Sequence, residues 1–149
     1  MKVSLLFPPT WHPSQPYLSL PSLTGFLAQG GVTNVSQRDL GIELLDKVVT
    51  QSYGIGLYHD LVDKQRSLER ERTGDTGPGS AEHLARVVES LDRFPYLIDR
   101  IEPAKETLRG EGFYDLESYK ESLFLIDKWL EVLSTLYFPT RLTVVDNQF

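Results

Sequence analysis

The chain has 149 residues, 40% hydrophobic and 24% charged, with a formal net charge of -6 and no cysteine. That length suits one domain with a sizeable core, and the missing thiols exclude a thiolate nucleophile, a disulfide, and Cys-bound metal or iron–sulfur chemistry within these residues. The acidic balance, with basic residues dispersed among acids, argues against a sequence-independent nucleic-acid surface.

No apolar run nears the roughly 18 residues of a membrane span, and Met1 leads into a strand-like segment and not a signal-peptide core. A cytoplasmic protein with neither nucleic-acid nor membrane partners is expected. Residues 3–7, VSLLF, read as a short strand covered on both faces, ended by Pro8 and Pro9, which offer no ladder N–H. The loop over residues 10–19 carries Pro13 and Pro16 and is long for a strand-to-helix connection, a place where ligands are often met. Pro21 suits a first helical turn, Leu20, Leu23 and Leu27 form one stripe, and Gly30-Gly31 provides a left-handed stop. Residues 32–39, VTNVSQRD, read as a second strand near a sheet edge, with Asp39 at its carboxyl end.

A helix follows over residues 40–50, and Gly54 and Gly56 are expected to interrupt it before a polar helix over residues 57–72. The stretch TGDTGPGS, residues 73–80, reads as a connector. Beyond it, Leu84, Val87, Val88 and Leu91 mark a helix with Ser80 as N-cap, and Pro95 and Pro103 are expected to break what comes next into short helices. Asp115 is the expected N-cap of a long helix from Leu116 to about Tyr137, striped by Tyr119, Leu123, Ile126, Leu130, Leu133 and Tyr137. RLTVV, residues 141–145, has the β-branched content of a strand. The expected class is therefore α/β: a partial Rossmann-like βαβ element over residues 1–50 and a mainly helical section with a strand-like tail over residues 51–149. The second part could stand alone or form one compact domain with the first.

The motifs VSLLFPP, LPSLTGFLAQGG and QRDLGIELLD together resemble the start of the cobalamin-binding domain of B12-binding radical S-adenosylmethionine proteins, and YFPTRLTVVDNQF resembles the stretch joining a helical insertion to the rest of such proteins. The resemblance covers about a third of the chain well. It implies an N-terminal cofactor-binding or substrate-domain segment, not catalytic by itself, with cobalamin as cofactor. S-adenosylmethionine and a 4Fe-4S cluster would belong to a downstream radical domain of the same parent chain, because the CxxxCxxC motif that holds the cluster is not in this sequence. The Asp-x-His-x-x-Gly signature of another cobalamin class is also missing, although the radical relatives often bind cobalamin without it.

Pro8, Pro9, Thr10, Trp11 and His12 are the candidate corrinoid-facing residues, since an indole can stack on a flat cofactor while an imidazole donates or accepts. Asp39 is a weaker candidate, because a residue in that position more often caps the next helix. His59 and His83 read as solvated helix residues, and Glu69, Glu71, Asp92 and Asp99 as surface charges. The three histidines lie far apart without HxxxH or HExxH spacing, so no metal site and no catalytic residue is assigned. Two other readings stay open: a noncatalytic helical protein-interaction module using the 119–137 stripe, and a small nucleotide-binding domain. A homodimer formed through an unpaired sheet edge is a further expectation.

Overall fold

Alternation of half-buried Val3, Leu5 and Phe7 with exposed Ser4 and Leu6 defines strand β1, Val3–Phe7, in the computed structural model, which describes residues 2–7, 18–71 and 78–142. Strand β2, Val35–Asp39, lies parallel to it with Val3 opposite Val35 and Phe7 opposite Asp39. Between them runs helix α1, Ser19–Gln29, which contacts β1. Helix α2, Leu40–Val48, follows β2 directly. The chain divides into two compact units, Met1–Lys47 and Val48–Phe149.

The end of α1 follows from its glycines. Gly31 takes φ 81°, its N–H donates to the Ala28 carbonyl at 3.0 Å, and the Val32 N–H reaches back to the Leu27 carbonyl at 2.9 Å. This pair of bonds is the Schellman arrangement, which requires a left-handed residue that glycine supplies without steric cost. Gly30, at φ -79°, is an ordinary residue of the turn. The expectation that β1 is covered on both faces is corrected: Leu6 is 57% exposed, because among the described residues only one face of the strand meets another element. Among those residues the first unit contains no buried side chain at all.

The second unit is helical. Helix α3, Gln51–Glu71, and helix α4, Pro78–Ile98, pack together. Helix α5, Ile101–Arg109, and a short 3-10 turn, Glu111–Tyr114, lead into helix α6, Leu116–Leu136, which contacts all three. Gly54, Leu57, Leu61 and Leu68 form the buried seam of α3, and Leu84, Val87, Phe94 and Leu97 that of α4. On α6 the buried set is broader than a single stripe and includes Leu125, Ile126, Trp129, Leu130, Val132 and Leu133. A helix buried over so much of its girth is the centre of a bundle. The stripe expected on α6 is thus core at Ile126, Leu130 and Leu133, whereas Tyr137 is 56% exposed.

Trp129 is fully buried and its indole N–H donates to the Val48 carbonyl at 2.8 Å. Its ring lies 5.7 Å from that of Phe94 and against the bare Cα of Gly54, where an added Cβ would overlap ring carbon Cη2. The predicted interruption at Gly54 and Gly56 is therefore wrong: α3 runs through both. Packing against the indole outweighs a propensity cost of about 1 kcal/mol per glycine. The actual break comes earlier, at Val49 and Thr50, where the Thr50 hydroxyl accepts from the Tyr53 N–H at 3.2 Å and the Glu102 carboxylate from the Gln51 N–H at 3.1 Å.

Three further expectations are corrected. Helix α4 begins at Pro78, so Ser80 lies inside it and is not its cap. Proline suits a first turn, where its missing N–H has no partner to lose. The same helix continues through Pro95 to Ile98, because Phe94 and Leu97 on either side are both buried. Pro103 sits in the first turn of α5. At the tail, Arg141 and Leu142 are not in a strand: the Leu142 N–H donates to the Ser134 hydroxyl at 2.7 Å, and residues 143–145 lie outside the described ones. Most of the 73–80 connector also lies outside them.

Two predictions follow from this packing. Gly54→Ala will destabilise the protein by about 1–3 kcal/mol, the usual cost of forcing extra volume into a packed core. Gly56→Ala, where nothing lies within 4 Å, will be neutral or stabilising by up to about 1 kcal/mol. Urea denaturation of the two variants checks the contrast, and equal effects would discard the indole contact as its cause.

The second concerns Asp115, the N-cap expected for α6, which accepts from the Ser118 N–H at 3.0 Å and hydroxyl at 2.6 Å. The hydroxyl first, and the backbone N–H second, hold its carboxyl below the ordinary aspartate value. Because the folded form is the more acidic, this stabilisation is present above the unfolded value of roughly 3.9 and is lost as pH falls through the folded one. Asp115→Asn keeps a capping acceptor without the titration, so the gap in Tm between wild type and variant should close in that acid range. A gap constant with pH would contradict the assignment.

Candidate functional site

In open parallel sheets, ligands meet the carboxyl ends of the strands, which here are Phe7 and Asp39. The two are paired in register, so the strand end from which the 8–12 segment departs lies opposite Asp39. Pro8, Pro9, Thr10, Trp11 and His12 themselves lie outside the described residues.

Asp39 is the one predicted site residue whose geometry is on view. Its Oδ1 accepts from the Gly41 N–H at 2.9 Å and the Ile42 N–H at 3.1 Å, satisfying two of the donors that the first turn of α2 would otherwise leave unpaired. The capping reading of Asp39 thus accounts for its position without a ligand. Its neighbour Arg38 is also engaged: Nε donates to Glu43 Oε1 at 2.8 Å, and Nη2 meets the other oxygen of the same carboxylate. This forked pair raises the arginine and lowers the glutamate, hydrogen bonding being the leading cause for both. On β2, Gln37 Nε2 donates to the Thr24 hydroxyl at 2.7 Å, and that hydroxyl donates to the Leu20 carbonyl at 2.9 Å. The charges at the end of β2 are therefore satisfied locally.

His59 is exposed, as expected, but His83 is not. It is 8% exposed, with Nε2 2.7 Å from the Thr135 carbonyl and its ring 5.0 Å from that of Phe138. Facing a carbonyl, Nε2 must carry the proton. His83 has charged neighbours along the chain, yet one residue on a helix is a rotation of about 100°. Glu82 accordingly points out while His83 points in. Below it, the Ser90 and Thr135 hydroxyls are 2.8 Å apart.

The sequence reading missed a cleft of about 430 Å³ in the second unit, between α4, α6 and the turn after α6. Arg86, Arg93, Lys128 and Arg141 border it, with Glu89 and Glu131. Arg86 and Arg93, seven residues apart, share one face of α4, a spacing visible in the sequence. Nothing local relates either to Lys128 or Arg141. Among the described residues no group of three histidine, aspartate or glutamate side chains is arranged to hold a metal ion, and no helix is long and apolar enough to cross a membrane.

No protein-family model, curated protein or solved structure matches this chain.

The capping geometry makes its own prediction. Asp39→Ala should cost about 1 kcal/mol, the usual penalty for losing an N-cap, and Asp39→Asn should recover most of it. Thermal unfolding followed by circular dichroism measures both. Full stability in Asp39→Ala would remove the capping role and return Asp39 to the list of ligand candidates.

Proposed function

We propose that this chain is the N-terminal cofactor-binding segment of a B12-binding radical S-adenosylmethionine enzyme, and is not catalytic by itself. The observation supporting this is the β1-α1-β2 unit with its parallel pairing and uncovered apolar surface, where Leu6, Leu23 and Phe26 are 57%, 48% and 73% exposed. Parallel strands are normally covered on both faces, and a two-stranded pair cannot bury that much apolar surface alone. Such a unit has the character of the opening of a larger Rossmann-like sheet completed by further strands of the same parent protein.

The edge is compatible with a corrinoid in two respects. Its ionic groups are already paired within the chain, which leaves a setting suited to a large flat macrocycle, and the first unit's only histidine in the sequence is His12. In this reading Trp11 stacks on the ring, His12 hydrogen-bonds its periphery or faces cobalt, and Pro8, Pro9 and Thr10 shape the loop. Asp39 acts through α2, which it caps. The cobalt chemistry is the corrinoid's own, and the radical chemistry belongs to a downstream domain carrying the 4Fe-4S cluster and S-adenosylmethionine. The interaction-module alternative loses its motive, because Ile126, Leu130 and Leu133 are covered within their own unit. The nucleotide-binding alternative rests on the loop after β1, which lies outside the described residues apart from its last positions.

The test is a titration of the parent protein, including the strands proposed to follow, with hydroxocobalamin, read by visible absorption. A saturable shift is expected, and Trp11→Ala should weaken it at least about tenfold, equivalent to about 1.4 kcal/mol of lost stacking. Absence of binding by the parent protein would defeat the cofactor assignment.

A further inference from the structure

The cleft between α4 and α6 collects positive charge on a chain whose formal net charge is -6. Four cations border it against two carboxylates, and counting Glu82, which pairs with Arg86 from outside the cleft, an excess of one remains. The imbalance centres on Glu131. This single carboxylate meets Lys128 Nζ at 2.8 Å, Arg141 Nη2 at 3.2 Å and Arg93 Nη1 at 3.6 Å. One negative charge thus holds together three positive groups drawn from α4, α6 and the segment after α6.

The placement of Arg141 is built and not incidental. The Ser134 hydroxyl, 7% exposed, donates to the Leu130 carbonyl at 2.6 Å and accepts from the Leu142 N–H at 2.7 Å, which ties the chain next to Arg141 onto α6. The Arg86 guanidinium is held 5.2 Å over the Phe138 ring, and the same ring borders the cleft. The lining therefore combines guanidinium and ammonium donors with the apolar Phe138, Pro139 and Val132. A volume of about 430 Å³ lies within the range of small-molecule sites.

We propose that this cleft binds a small organic phosphate, whose oxyanion enters among Arg93, Lys128 and Arg141 and whose organic part lies along Phe138 and Val132. A phosphate dianion carries more charge for three convergent cations than Glu131, the one carboxylate that all three meet, and guanidinium forks suit its oxygens. Glu131 is the built-in competitor, since its three pairs must loosen as the ligand enters. The outer Arg86–Glu82 and Arg93–Glu89 pairs involve side chains about half exposed, where such contacts contribute little and partners exchange readily. This inference concerns the second unit alone and does not depend on the corrinoid reading.

Isothermal titration calorimetry of the full chain with phenyl phosphate, at fixed ionic strength in chloride, tests it. Saturable one-to-one binding is expected, with inorganic phosphate at least about tenfold weaker because it lacks the ring. Arg93→Gln and Arg141→Gln should each weaken binding about tenfold or more. Arg141 keeps the test valid if Arg93→Gln unfolds, since its side chain is 66% exposed. Glu131→Gln should tighten binding by releasing the three cations, whereas Glu111→Gln, an equal change of net charge outside the cleft, should leave it unchanged. No saturable heat, equal affinity for inorganic phosphate, indifference to Arg141→Gln, or equal gains from the two glutamate variants would each overturn the proposal.

Discussion

The contact on which the helical unit depends is the indole of Trp129 set against the bare backbone of Gly54. It does three things at once. The ring fills the centre of the bundle beside Phe94, its N–H satisfies the Val48 carbonyl, and its bulk dictates that α3 pass with no side chain at residue 54. A large aromatic with a polar handle suits such a position, because burial is favourable only if the N–H finds an acceptor. The carbonyl that receives it sits at the end of α2, just before the chain breaks at Val49 and Thr50.

The polar groups of the same bundle obey the same accounting. His83, Ser90, Ser134 and Thr135 are buried, and each is bonded to a carbonyl or another hydroxyl. Among the described residues, no buried side-chain nitrogen or oxygen lacks a partner. Satisfied groups of this kind constrain how helices sit against one another, since a misplaced helix would leave them unpaired at a cost of about 1–3 kcal/mol each. Ser90, Ser134 and Thr135 also line the cationic cleft, and Thr135 bonds to His83 through its carbonyl and to Ser90 through its hydroxyl. The cleft is thus supported by core residues while its charged rim remains in water.

The first unit follows a different economy. Its strands are joined by five register pairs, and the end of α1 and the start of α2 are capped, yet it buries no side chain among the described residues. Local rules form its elements: the Gly31 stop, the Asp39 cap and the Arg38–Glu43 fork each act within a few residues. Apolar burial, the dominant stabilising term in most domains, is slight among its described residues.

Much was legible in the residues alone because the responsible forces are local. Both strands, the glycine stop after α1, the Asp115 cap and the α6 repeat follow from spacing, side-chain acceptors and backbone freedom. Only the tertiary structure decided the rest. Gly54 and Pro95 look like interruptions by propensity, but burial of Leu57, Phe94 and Leu97 carries the helices through them, as interactions across the bundle exceed the local penalty. His83 looks solvated beside Glu82 until the direction of the α4 face is known. Arg93, Lys128, Glu131 and Arg141 become one electrostatic group only when α4, α6 and the following turn come together, because charge at close range depends on distance in space and not on position along the chain.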